Sequence, residues 1–273
     1  MTRPPNVPWA TILLLILAVV WSYPVLWTMS NALKTTADLY RGPLDLPWPP
    51  AIGNFGAAWT RGNLAGALLN STYVTSWTVV GVLLLAIPAA YSLARLRPPG
   101  RAILTLLVLA PLIVPTEVLI VPLFSIYRTL GLINSLPGLA LVNVAASVPF
   151  ATMILVAYFR RIPQDVIDAA RVDGATRLET LVRIVVPVAR PGILAVAVLV
   201  AVFAWNDFAG ALVLIQRPSA FTAPLALTTF STFYTTDEGV KFAGLAIVFL
   251  PPLLLFLVVQ RRFLQGLTVG VGG

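Results

Sequence analysis

The chain has neither cysteine nor histidine in 273 residues, and only 10% of its residues are charged. Without cysteine there is no disulfide framework and no thiolate chemistry. Without histidine the commonest metal ligand and the usual neutral-pH proton shuttle are gone. Lysine is scarce as well. Its two positions, Lys34 and Lys241, follow Leu33 and Val240. A P-loop requires Gly directly before its Lys, so this chain carries no such motif. No pair of carboxylates clusters at one depth of an apolar run, which speaks against a membrane enzyme. No solenoid-length repeat and no low-complexity segment is visible.

What remains is apolar. Hydrophobic residues make up 59% of the sequence, and the mean hydropathy is +0.92. A soluble domain carries about 25% charged residues, so the composition reads as an all-α membrane protein of several spans. Six continuous apolar runs, about 9–29, 66–93, 102–126, 136–158, 190–213 and 242–259, have the length a transmembrane helix needs. The first lacks a small-residue cleavage site after it and reads as a retained helix rather than a signal peptide. With Arg3 inside, two thirds of the 18 basic residues fall in cytoplasmic segments, including the pairs Arg160–Arg161 and Arg261–Arg262. Both termini are therefore expected in the cytoplasm. The same bias accounts for the net charge of +8 without nucleic acid. The outer segment from Asn31 to Gly62 contains "GPLDLPWPP" and predicts an irregular cap.

One segment departs from the apolar pattern. "FRRIPQDVIDAARVDGATRLETLVRIVVP", residues 159–187, collects charge around a single Gly. Pro163 is suited to open a helix. The stretch from Gln164 to Val172 gives about two turns, with Asp165, Asp168 and Arg171 on one face and Val166, Ala169 and Ala170 on another. Asp173-Gly174 predicts its end. Thr176 to Glu179 forms a capping box for a second helix, in which Leu178, Leu181, Val182 and Val185 make one apolar stripe and Pro187 closes the segment. These residues permit an ordinary amphipathic connector or a preformed docking knob for a cytoplasmic partner.

The segment resembles the signature loop of permease subunits of ABC importers. The matching positions are Asp168, Ala169, Ala170, Asp173, Gly174, Ala175, Ile184 and Pro187. Asp168 stands where that pattern has Glu, and Val186 where it has Leu. Further stretches look like the carbohydrate-uptake group that includes the maltose permeases: "NFGAAW" at 54–59, "NS" at 70–71, "AAYSLARLRPPGR" at 89–101, "GLINSLPGL" at 131–139, "AWNDF" at 204–208 and "QRRFLQGLTVG" at 260–270. The resemblance implies a single permease domain over 1–273, with six transmembrane helices, a cytoplasmic coupling loop at 159–187 between helices four and five, and a cytoplasmic tail at 260–273. It also implies four kinds of partner: a second permease subunit, two ATPase subunits that bind ATP and Mg, an extracytoplasmic solute-binding protein, and membrane lipid. This chain itself would hold no cofactor and no metal. The coupling helix would be Gln164 to Gly174, with Arg171 on its charged face.

Polar residues inside apolar runs are candidates for a solute pathway or for helix–helix hydrogen bonds. They are Glu117, Asn143, Ser147, Asn206 and Asp207. Pro111, Pro115 and Pro122 should bend the third run near Glu117. Trp59, Tyr127 and Trp205 can stack on a sugar ring or anchor at a bilayer interface. A stand-alone secondary transporter or channel for a small polar solute remains the other reading at this point; it would couple through Glu117 and Asp207.

Overall fold

Backbone amides and carbonyls find no water in hydrocarbon, so so apolar a chain has to satisfy them within helices. The computed structural model describes residues 8–42, 44–96, 98–230 and 237–268, and no strand occurs among them. In chain order the helices are α1 (Pro8–Ala32), α2 (Thr36–Arg41), α3 (Gly53–Arg61), α4 (Leu64–Tyr91), α5 (Arg101–Leu109), α6 (Thr116–Thr129) and α7 (Leu136–Arg160). Then come α8 (Gln164–Val172), α9 (Arg177–Val188), α10 (Arg190–Trp205), α11 (Ala209–Leu214), α12 (Ala223–Ala226) and α13 (Glu238–Thr268).

Among the described residues four segments are long and apolar enough to cross a bilayer: Thr11–Ala32, Leu64–Leu96, Leu136–Arg160 and Glu238–Gln260. The pair α9 and α10, bent by 79°, passes the same test only when taken together. The third apolar run is not one helix. After α5 a 3₁₀ turn covers Ala110–Ile113, and the chain then breaks at Val114–Pro115. Val114 is extended, at ψ 118°, as the residue before a proline prefers. Pro122, by contrast, sits inside α6. The fifth run also stops short of residue 213: α10 ends at Trp205, and Asn206 to Phe208 form a turn before α11. The last helix continues through Arg261-Arg262 to Thr268, so the first part of the expected tail is helical. Residues 269–273 lie outside the described part.

The chain forms two compact units, one of residues 1–65 and 226–250, the other of residues 66–225 and 251–273. In the first, the stretch expected to be irregular holds α2 and α3. Thr35 caps α2 by accepting the Asp38 N–H at 3.2 Å. Asn54 donates to the carbonyls of Ala32 (2.9 Å) and Lys34 (2.8 Å), closing the end of α1. Asp237 accepts from Arg61 at 3.1 Å and from Thr36 at 3.2 Å. Trp27 meets Phe242 edge to face at 5.1 Å.

In the second unit α7 is central. Ala151, Leu155 and Phe159 repeat every four residues and are fully buried. Facing them are Val82, Ala86 and Ala90 of α4, also at four-residue spacing, and Val196 and Val200 of α10. Small residues allow this closeness. A Cβ at Gly192 would stand 2.4 Å from Cγ of Tyr158, and one at Gly81 would stand 2.7 Å from Cγ2 of Val144. A second cluster joins Val74, Tyr127, Leu139, Leu214 and Leu225. Tyr127 is buried there and donates its hydroxyl to the Gly138 carbonyl at 3.1 Å, so it is a packing residue rather than a stacking platform.

Gly192→Val should overpack the α7–α10 seam and cost about 1–3 kcal/mol. Gly56→Ala, where an added Cβ meets nothing within 4 Å, should be neutral or mildly stabilising in its helix. Thermal unfolding of the detergent-solubilised chain checks both; equal midpoints for the two variants would remove the close-approach argument.

Candidate functional site

The charged loop folds from local signals. Pro163 is extended, and α8 begins immediately after it. Ile167 and Ala170 turn inward and are buried, at 0% and 6% exposure. Val166, Ala169 and Val172 turn outward, Val172 being 87% exposed. Ala169 and Ala170, expected to form one thin face, are thus divided between the outside and the chain's own body. The helix ends in a Schellman arrangement: Ala175 N–H donates to the Ala170 carbonyl at 2.9 Å, and Gly174 N–H donates to Arg171 at 3.1 Å. Gly174 has φ +82° with open space around it. Backbone conformation, not crowding, therefore demands glycine here.

Two residues later the capping box restarts the helix. Thr176 Oγ1 accepts the Glu179 N–H at 3.2 Å, and Glu179 Oε2 accepts the Thr176 N–H at 2.9 Å. That backbone N–H, then the Thr176 hydroxyl, hold the Glu179 carboxyl below the usual carboxylate range. Arg183 lies 3.8 Å away in an exposed pair, a geometry that contributes little.

The expected apolar stripe of α9 is split. Leu181 and Val185 enter the core, at 7% and 0% exposure, while Leu178 and Val182 stay exposed, at 68% and 55%. Pro187 does not close the segment either. A π-turn over Leu181–Val185 precedes it. Such a turn relieves the clash of a proline ring with the carbonyl four residues back, so the helix passes through Pro187. The chain instead turns at Ala189. Ile184 is half-buried and Pro187 exposed.

Arg95, which sequence reasoning counts only as one of the cytoplasmic basic residues, is part of this site. It sits on a π-turn, Ser92–Leu96, that prolongs α4. Its Nε donates to the Phe159 carbonyl at 2.8 Å, and Nη2 reaches the carbonyls of Phe159 and Ile162. Nη1 donates to Gln164 Oε1 at 3.2 Å. Gln164 in turn donates to Asp168 Oδ1 at 3.1 Å, which also receives Arg171 at 3.2 Å. The motif "AAYSLARLR" carried the signal, but its partners lie more than sixty residues away.

The intramembrane candidates fall into different surroundings. Asn143 is the side chain neighbouring the Asp207 carboxylate. Its Nδ2 and Asp207 Oδ2 are both buried, and neither completes a hydrogen bond of normal geometry. The other carboxylate oxygen accepts the Gly210 N–H at 3.0 Å, at the start of α11. Asn206 donates to the Val202 carbonyl at 2.9 Å and finishes α10. Ser147 is half-buried one turn beyond Asn143. Trp205 lines a cavity of about 210 Å³ with Thr72, Thr75, Ser76, Pro251 and Pro252. The backbone of Glu117 opens α6, and its side chain lies outside the described part. Trp59 is 47% exposed on α3.

The bundle of broken apolar helices is shared with known transport proteins. The model of the "Binding-protein-dependent transport system inner membrane component" family matches residues 82–269, and the chain belongs to that family. It is 35% identical over 260 residues to the diacetylchitobiose uptake system permease protein NgcG of Streptomyces coelicolor, covering 94% of this chain and 86% of that protein. It is 37% identical over 249 residues to the trehalose transport system permease protein SugB of Mycobacterium tuberculosis, covering 90% of each. The arabinooligosaccharides transport system permease protein AraQ of Halalkalibacterium halodurans is 31% identical over 252 residues, 91% of this chain and 90% of that protein. The fold matches a chain in the crystal structure of a bacterial ABC transporter involved in the import of the acidic polysaccharide alginate, with a TM-score of 0.81 over 96% of this chain and all of that one, at 23% identity. The protein is therefore a transport permease. The stand-alone secondary transporter gains no support from these relationships.

Thr176→Ala should remove the cap and cost about 1 kcal/mol locally, seen as faster amide exchange over residues 177–185. Because Glu179 titrates below its usual range when folded, its contribution is present above that range and fades as pH falls through the lowered value. The difference in protection between the natural chain and Glu179→Gln should therefore shrink on acidification; a difference independent of pH would refute the capping account.

Proposed function

We propose that this chain is a transmembrane subunit of an ATP-driven importer of a sugar or oligosaccharide, with α8 as the helix that docks on a separate ATPase. The observation that carries this reading is the preformed knob of residues 164–188. A helix closed by a Schellman turn and restarted by a capping box has its terminal backbone groups satisfied by local bonds, which suits a part that must transmit force. Its outward face offers Ala169, Val172 and the Asp168–Arg171 pair, while Ile167 and Ala170 fix it to the body.

Diacetylchitobiose, trehalose and arabinooligosaccharides, after which relatives are named, support a saccharide as the solute. In this reading an extracytoplasmic binding protein delivers the solute, a second permease completes the pathway, and two ATPase subunits hold ATP and Mg. Both termini lie in the cytoplasm of a prokaryotic cell and the chain crosses the inner membrane six times, with the third crossing broken at Pro115 and the fifth beginning at Arg190, after the knob. No residue in the apolar window of α1 is buried within its own chain, so lipid and the second permease are left to cover it. Asn143, Ser147 and Asp207 are the pathway candidates. A buried asparagine amide set beside a carboxylate is suited to meet sugar hydroxyls or water.

Co-expression with a candidate partner ATPase of the same cell tests the reading. Asp168→Lys places a cation beside Arg171 and should reduce ATPase co-purification tenfold or more, a coupling of about 1.4 kcal/mol or above. Uptake of radiolabelled di- and oligosaccharides should fall in parallel. Unchanged co-purification would reject α8 as the docking element.

A further inference from the structure

Arg95 makes contacts that no signature of the loop accounts for. One guanidinium gathers the last carbonyl region of α7, the carbonyl of Ile162 and the side chain of Gln164, the first residue of α8. Helix C-termini leave carbonyls without intrahelical partners, and a planar fork with five donors is the side chain able to take several at once. Those bonds alone would make Arg95 a cap. The bond to Gln164 goes further, because Gln164 passes it on to Asp168, and Asp168 to Arg171. The polar chain therefore begins on the prolongation of α4 and ends on the far turn of α8.

The surrounding backbone fits such a link. Arg95 lies on a π-turn, in which Leu93 and Ala94 are buried, both at 6% exposure. A π-turn adds a residue to one turn and so rotates everything after it about the helix axis. Leu93 and Ala94 thereby stay packed while Arg95 reaches α7 and α8. Arg95 is itself half-buried, where charge-assisted bonds are stronger and more directional than in water.

We propose that Arg95 is a positioning residue that latches α8 to the cytoplasmic end of α4, so that a displacement of α8 reaches the second membrane crossing as the motion of one rigid body. Without the latch, α8 connects to the membrane part through its chain neighbours α7 and α9 and the apolar packing of Ile167 and Ala170. This inference rests on α8 being the ATPase-docking helix, and it concerns what happens after docking.

The chain contains no cysteine, so two introduced cysteines carry the only spin labels on this subunit. D165C on the first turn of α8, away from the residues offered for docking, and L84C on α4 are suitable, both positions being exposed. The distance between them is measured in the reconstituted complex with its ATPase, first without nucleotide and then trapped with ATP and vanadate. With Arg95 present the distance should be the same in both states. In Arg95→Ala it should shift or broaden about twofold on trapping, while Arg95→Lys, which keeps charge but loses the fork, should fall between. Gln164→Ala leaves both carbonyl caps in place and breaks only the bridge. It should reproduce the Arg95→Ala behaviour, and it keeps the test open if Arg95→Ala fails to fold. If Gln164→Ala behaves as the parent does, Arg95 is only a helix cap and the latch is overturned. If the labelled parent captures no ATPase, the docking role of α8 fails instead, and that result is read from co-purification before any distance is measured.

Discussion

Helices that end in or near hydrocarbon must still satisfy their terminal amides and carbonyls, and this requirement decides where the chain places its few polar side chains. Asn54 closes α1 through the carbonyls of Ala32 and Lys34. Arg95 closes α7. Asn70 takes the carbonyls of Ser219 and Phe221, and Ser71 accepts the Ala223 N–H. Asn134 accepts the N–H groups of Gln216 and Arg217. In each case the side chain holds backbone distant in sequence. Where the pinned group is buried, as the Ala223 N–H is, a substitution leaves it without a partner as well as removing a contact, which is the costlier loss.

Given these pins, the apolar side of the structure can be simple. Stripes of Ala, Val and Gly at four-residue spacing bring α4 and α10 against α7. In lipid there is no hydrophobic drive to hold helices together, so close packing and interhelical hydrogen bonds supply it. Larger side chains such as Phe159 and Leu155 then fill the space that the small ones leave.

What the sequence made legible follows the range of the interactions. The end of α8 at Gly174, the capping box at Thr176 and the broken third run are all set by residues within five positions of one another, and the structure shows each of them. The position of α9 in the membrane part is not local. Leu178 and Leu181 look alike as sequence, yet one is exposed and the other buried, because the π-turn before Pro187 and the bend at Ala189 set which face meets the core. The motifs "NS" at 70–71 and "GLINSLPGL" stood out without a chemical reason. That reason is backbone pinning, with partners up to 152 residues away. Among the pathway candidates, Asn143 and Asp207 are brought together, whereas Asn206 is spent on the end of α10.

The contrast between local and distant encoding bears on how force can pass through the molecule. A knob whose shape depended on distant contacts would deform when pulled, because its own ends would be the weakest points. Here the knob is closed on itself at Gly174 and Thr176 by bonds spanning three to five residues. The distant bonds are reserved for its attachment: Ile167 and Ala170 are buried against the body, and Gln164 is held by Arg95. Displacing α8 therefore strains its attachments before its interior. Stiff element and chosen attachment points are the two properties a lever needs, and in this chain they are carried by separate sets of residues.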